Sequence, residues 1–348
     1  MNLPEWSFLH GCPIHAARLK AFPEDFVVVE DLGFEPDGNG EHIFVYVRKR
    51  EENSAWIAGL LAKAAGVPRS AVTWAGLKDR HAVTEQWFGI HLPGKEEPDL
   101  HVIENENIQI LKQQRHSRKL RTGALKGNYF RILLRDLVAD SELEKRLQLI
   151  SEQGVPNYFG EQRFGRNGNN LDGAESMFQG RRIKDRDKRS LFLSAARSYL
   201  FNLVVSERIK QGLASRLLPG DCLMLSGSNS FFSEPEVSDE LQSRLDSGDI
   251  GLSAPLWGRG RTTSQGEALD FESQTLLPFA AWQAGLEAAG LGQERRTLLL
   301  KPGDLNWTWH EDGLVLDFWL PAGTYATSII RELVTLKQVD VNEDPDQQ

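Results

Sequence analysis

Apolar residues recur at every second position in runs near both ends of this chain, and at every third or fourth position through its middle. A chain patterned this way has to build a sheet from distant segments and fit a helical region between them. Residues 26–30 (FVVVE) and 43–48 (IFVYVR) are β-prone and are joined by a segment rich in Gly, Pro, Asp and Asn, which predicts two antiparallel strands. Residues 71–75 and 84–92 predict extended runs on either side of a turn at Gly76. Alternation over residues 129–134 marks another strand, and residues 305–309 and 314–320 return to the same pattern.

Helical spacing fills the intervals. Asn53 or Ser54 caps a helix that turns Trp56, Ile57, Leu60, Leu61 and Ala64 toward a core and stops at Gly66 and Pro68. Ser141 and Glu144 form a capping box for a helix presenting Leu143, Leu147 and Ile150, ended by Gly154 and Pro156. A long helix is predicted from Ser190 to about Gly212, with shorter ones over residues 238–245, 279–289 and 328–336. Residues 217–225 can include a strand, and residues 253–269 read as an irregular connection. The stretch 155–173, VPNYFGEQRFGRNGNNLDG, is too rich in Gly, Asn, Arg and aromatics for a simple linker and reads as a surface-binding loop. The tail from Asn342 reads as disordered.

With 348 residues and a hydrophobic fraction of 40%, the chain has material for two domains. No apolar run approaches the roughly 20 residues of a membrane helix, and the start of the chain lacks a signal-peptide pattern, so a cytosolic protein is expected. Cys12 and Cys222 have no metal or redox spacing, and the histidines form no paired-ligand pattern. No metal is expected. The net charge of −9 is segregated. Residues 107–135 contain no acid but carry Lys112, Arg115, Arg118, Lys119, Arg121, Lys126, Arg131 and Arg135; residues 181–189 form a second basic cluster diluted by Asp185 and Asp187. Such a division suits a polyanion held on one face, or a set of solvated loops and helix faces.

In residues 73–90, TWAGLKDRHAVTEQWFGI, Asp79 stands between Lys78 and Arg80 in a turn between apolar runs. A carboxylate so placed stays ionised and accessible at a strand end, where catalytic groups are often held. On the residues alone it reads equally as a turn former or surface charge.

Five segments in order settle its reading. GLKDRHAVTEQWFGI around Asp79, LKAFPEDFVVVEDLGFEPDGNGEH from Leu19, LRTGALKGNYF from Leu120, GVPNYFGEQRFG from Gly154 and FWLPAGTYATSIIREL from Phe318 together resemble the TruD family of tRNA pseudouridine synthases over essentially the whole chain. The resemblance implies an α/β (α+β) architecture. A catalytic domain with a mixed, mostly antiparallel sheet would comprise residues 1–153 and 303–348, and a family-specific α/β domain would be inserted as residues 154–302. It implies a cofactor-independent isomerisation of uridine to pseudouridine in tRNA, usually at uridine 13 of the D arm, with RNA lying between the domains.

By the same resemblance Asp79 is the catalytic carboxylate, acting as nucleophile at the ribose anomeric carbon or as base at the 2′ position, and Lys20 is its cationic partner. Phe26, Asn128, Phe130 and Tyr325 match the uracil-pocket positions, Tyr325 standing where the family has Phe. Phe26 and Phe130, being on strands, also suit core packing. Lys78, Arg80, Arg118, Lys119, Arg121, Lys126, Arg163 and Arg166 are candidate contacts to the RNA backbone. A monomer with no obligate protein partner is expected. Two other readings follow from other classes: an RNA-binding or chaperone protein in which Asp79 is incidental, and an N-glycosidase that would release free uracil.

Overall fold

The computed structural model describes residues 3–337; the predicted disordered tail lies outside them. In chain order the first elements are β1 (Ala16–Ala17), β2 (Phe26–Asp31), β3 (His42–Arg50), α1 (Ser54–Ala64), β4 (Val72–Trp74), β5 (Val83–His91), β6 (Ile108–His116), β7 (Gly127–Arg135) and α2 (Ser141–Gln153). The middle contains β8 (Val155–Pro156), α3 (Asn169–Phe178), α4 (Arg186–Lys210), β9 (Cys222–Leu225), β10 (Phe231–Ser233), α5 (Asp239–Asp246), β11 (Ile250–Leu256), α6 (Gly266–Leu276), α7 (Ala280–Ala288), β12 (Glu294–Thr297) and β13 (Leu299–Leu300). The chain closes with β14 (Gly303–His310), β15 (Gly313–Pro321), α8 (Ala326–Leu333) and β16 (Thr335–Leu336).

These elements form two compact units. Of the described residues, one comprises 3–12, 152–301 and 327–332, and the other comprises 13–151, 302–326 and 333–337. Both are mixtures of helix and sheet.

The second unit is built on a mixed sheet with the order β14-β15-β7-β2-β5-β3-β6, and β4 also pairs with β5. Only β2 and β5 run parallel within it. The two N-terminal strands are therefore not a hairpin: β5 lies between them. β5 is buried over most of its length on both faces, which suits it to an interior position, whereas the turn-rich segment after β2 is long enough to pass over to the next place in the sheet.

Cap chemistry sets the helices of this unit. The Asn53 side chain accepts a hydrogen bond from the Trp56 amide at 2.8 Å, starting α1 at Ser54. Ile57, Ala58, Leu61 and Ala62 are buried against Ile43, Val45, Val47, Phe88 and Ile90, while Trp56, expected in the core, is 55% exposed because it lies just outside that stripe. For α2 the cap is Asp140, one residue before the predicted Ser141, accepting from Glu142 N at 2.6 Å. Glu144 does not close a capping box; its carboxylate accepts from the indole N–H groups of Trp307 (3.0 Å) and Trp309 (2.5 Å).

The first unit packs around α4, which begins at Arg186, four residues before the predicted start, because Asp185 caps it by accepting from Asp187 N and Lys188 N. Its sheet has the order β10-β9-β11-β12, all antiparallel. The stretch predicted as a surface loop contributes Tyr158 and Phe164 to this core, where they meet Trp6 and Tyr199. The connection predicted as irregular contains the end of β11 and the start of α6, and α8 ends at Leu333, earlier than predicted. Among the described residues no helix is long and apolar enough to cross a membrane, and no cluster of His, Cys, Asp and Glu could hold a metal ion.

Candidate active site

Asp79 lies in the loop between β4 and β5, and its side chain is 42% exposed. Lys20 comes from the segment before β2 with a backbone φ of 58°, a left-handed conformation that a non-glycine residue adopts only when its surroundings hold it there. From this position its ammonium reaches Asp79 Oδ2 at 2.5 Å and lies 4.1 Å from the centre of the Phe26 ring. One cation thus touches both the carboxylate and an aromatic face.

That aromatic face extends across the sheet. Phe26 meets Phe130 edge to face at 6.2 Å, and Phe130 stacks on Phe318 at 5.4 Å with the rings 20° apart. Register explains the row: Phe130 is opposite Val28 on β2 and opposite Phe318 on β15, so all three strands present side chains to one face. Asn128, two residues earlier on β7, shares that face, and its Oδ1 is buried without a hydrogen-bond partner among the described residues. Gly127 allows β15 to come close beside it, since a Cβ there would fall 2.4 Å from both Leu320 O and the Trp319 ring. Tyr325 occupies the junction between β15 and α8.

Beneath the Asp79 loop the same face is polar. Glu30 is buried, accepts from Trp87 N at 2.8 Å and pairs with Lys78 Nζ at 2.5 Å. Burial pushes the Glu30 carboxyl above its ordinary value, and the Lys78 charge opposes the rise. Lys49 is buried with its Nζ donating to Glu52 O at 2.5 Å; desolvation, with repulsion from Lys78, pushes it down to about 8. Ser54 Oγ donates to Gln86 Oε1 at 2.7 Å, and Gln86 Nε2 donates to Gly76 O at 2.7 Å.

The structure brings Lys20, Asp79, Phe26 and Phe130 into one chain of contacts, with Asn128 on the same face. Lys78 turns inward, its side chain 9% exposed. Arg80 is exposed and donates to Glu51 O at 3.2 Å. Arg118, Lys119, Arg121 and Lys126 are exposed around a loop whose Gly123 N donates to Ala75 O at 2.8 Å, just before the Asp79 loop. Arg163 and Arg166 belong to the other unit; Arg163 donates to Ser194 Oγ at 3.1 Å, and Arg166 is exposed. Sequence reasoning missed Phe318, Glu30, Lys49, Ser54 and Gln86. Glu30 had a legible signal, falling in phase with Phe26 and Val28 on the buried side of β2.

A family model described as tRNA pseudouridine synthase D (TruD) matches residues 7–181 and 179–333. The chain belongs to the TruD family. Among its curated TruD relatives, a tRNA pseudouridine synthase D of Aeromonas salmonicida is 63% identical over 338 residues, 97% of this chain and 96% of the relative. The protein of that name from Pseudoalteromonas atlantica is 45% identical over 345 residues, 98% of this chain and 99% of the relative. The fold is that of a crystal structure from Methanosarcina mazei described as a candidate TruD, with a TM-score of 0.72 at 21% identity, covering 94% of this chain and 95% of that one.

Proposed function

We propose that the protein isomerises uridine 13 of tRNA to pseudouridine, with Asp79 as its catalytic carboxylate. Family membership supports the coarser statement that it is a tRNA pseudouridine synthase, an isomerase. The observation that carries the role of Asp79 is the Lys20 ammonium, which lies within contact of both Asp79 and the Phe26 ring; position 13 is taken from the family's usual target. The Lys20 charge opposes the desolvation of the carboxylate when a nucleotide covers the site.

The reaction breaks the bond between uracil N1 and the ribose anomeric carbon, turns the base, and joins uracil C5 to that carbon; the C5 hydrogen leaves as a proton and N1 gains one. Asp79 serves as nucleophile at the anomeric carbon or as base at the 2′ position, and both routes need its ionised form. A base inside an RNA stack is out of reach, so the target uridine is flipped out. In this reading Phe26 and Phe130, backed by Phe318, form the floor for the flipped base, the Asn128 amide meets its edge, and Tyr325 closes the pocket. We assign the catalytic domain to the unit containing the long mixed sheet. Arg80, Arg118, Lys119, Arg121 and Lys126 there, and Arg163 and Arg166 in the other unit, are the proposed phosphate contacts, with the chain acting as a monomer in the cytoplasm and without a cofactor.

The test is tritium release from unmodified tRNA carrying tritium at uracil C5, with the modified position mapped by sequencing and free uracil measured in parallel. Wild type is expected to release tritium stoichiometrically at position 13 without free uracil, and Asp79→Asn to bind tRNA but release none. Release at another position would overturn the site assignment, free uracil would make the enzyme a glycosidase, and an active Asp79→Asn would overturn the role of Asp79.

A further inference from the structure

The loop that carries Asp79 is held at separate points along its backbone. Gly76 O accepts from Gln86 Nε2 at 2.7 Å, Lys78 N donates to Ser54 Oγ at 3.4 Å, and the Lys78 ammonium pairs with Glu30 at 2.5 Å. Each partner stands on an element of the packed sheet layer: Gln86 on β5, Ser54 at the start of α1 and Glu30 on β2. Ser54 also donates to Gln86, tying two of the holding points together. Within the loop, Lys78 is drawn in while its neighbours Leu77 and Asp79 are both exposed. Pulling the middle of three consecutive residues inward turns the flanking side chains outward.

We propose that Lys78 is a positioning residue for Asp79: its ion pair with Glu30 anchors the loop from below and fixes the height and direction of the carboxylate. This rests on the reading of Asp79 as the catalytic carboxylate, and it replaces the expectation that Lys78 binds phosphate. The Glu30 side chain is fully covered and Lys78 nearly so, leaving the ammonium directed at the carboxylate below the loop and away from an incoming RNA. The charges of Lys20 and Lys78 thus do different work: one meets Asp79 itself, and the other holds the backbone on which Asp79 stands.

The experiment measures kcat and KM for tritium release, tRNA affinity and melting temperature in Lys78→Met, in Lys78→Met combined with Glu30→Gln, and in Ser54→Ala, with wild type and Asp79→Asn alongside. A displacement of about 1 Å at a reacting group can cost on the order of 100-fold in rate, so kcat is expected to fall about 30- to 100-fold in Lys78→Met with KM within about threefold. Removing one partner of the buried pair lowers the melting temperature, and removing both charges restores most of it. In the double variant kcat is expected to stay low despite that recovery. Ser54→Ala, which keeps the ion pair, is expected to lose about three- to tenfold in kcat.

Recovery of kcat together with stability in the double variant would make the pair purely structural and overturn the inference. A rise in KM with kcat unchanged would make Lys78 a phosphate contact and overturn it equally. If every Lys78 variant matches wild type while Asp79→Asn is inactive, the inference alone fails. If Asp79→Asn is as active as wild type, the reading of Asp79 fails first and this inference goes with it.

Discussion

The part of the mixed sheet that lies against α1 and the part beneath the Asp79 loop use the same strands in contrasting ways. Along one face of β3, Ile43, Val45 and Val47 are followed by Lys49; along the matching face of β5, Ile90 and Phe88 give way to Gln86 and Thr84. All of these positions are buried. In the apolar half each side chain gains from leaving water, and almost any shape of similar volume would serve. In the polar half burial penalises every group unless it finds a partner, so the partners of Lys49 and Gln86 fix where those side chains sit. Burial at one end of the strands gives stability, and at the other end it gives direction.

The largest expected effect that sharpens this contrast is on the apolar side. Leu61→Ala, at a fully buried position of α1, should lower unfolding free energy by about 2–5 kcal/mol in denaturant titration, while kcat per folded molecule stays within about twofold of wild type. A comparable loss of kcat would mean that the two halves are not separable.

Next comes the pH dependence of the polar half. Lys49 titrates near 8 in the folded chain against 10.5 for the ordinary side chain, so between those values the unfolded chain holds more protons. Its contribution to stability therefore rises with pH across that window, by up to about 3 kcal/mol. The stability difference between wild type and Lys49→Met, followed from pH 7 to 10.5, should shift in favour of wild type by that order. A flat difference would show that Lys49 is not desolvated.

Smaller still, Phe318→Leu removes the ring stacked on Phe130, an interaction worth about 0.5–1.5 kcal/mol, and should lower kcat/KM by roughly three- to tenfold. An unchanged value would remove Phe318 from the base-binding floor. Trp56→Gln should change stability by less than about 0.5 kcal/mol, because its ring is mostly in water.

Most strands were legible because a half-buried strand alternates, as residues 129–134 do, and because turn residues bound it. Pairing was not legible: nothing local in FVVVE or IFVYVR says that β5 will separate them, since that choice depends on how much of β5 must be covered from both sides. The cap of α2 and the start of α4 fall earlier than the sequence predicts, at Asp140 and after Asp185, because the choice among neighbouring capping residues turns on backbone geometry that residue type leaves open. At the site, the resemblance to a family brought forward Asp79, Lys20 and the aromatic positions. The residues around the loop carried a weaker mark, a charge or amide in phase with an apolar row, as at Glu30, Lys49 and Gln86. That mark becomes readable once the row is known to face inward.

The pairing of β7 with β15 also bears on the order in which the molecule assembles. Phe130 and Phe318 stack although residues 152–301 lie between them in sequence, so this contact closes a long loop of chain. Contacts of that kind form late and slowly, because closing the intervening loop costs entropy before any packing offsets it. During synthesis Lys20 and Asp79 are both present long before β15 exists. A growing chain therefore carries both charged residues without the ring that backs Phe130, and that aromatic stack is completed only after β15 has been made.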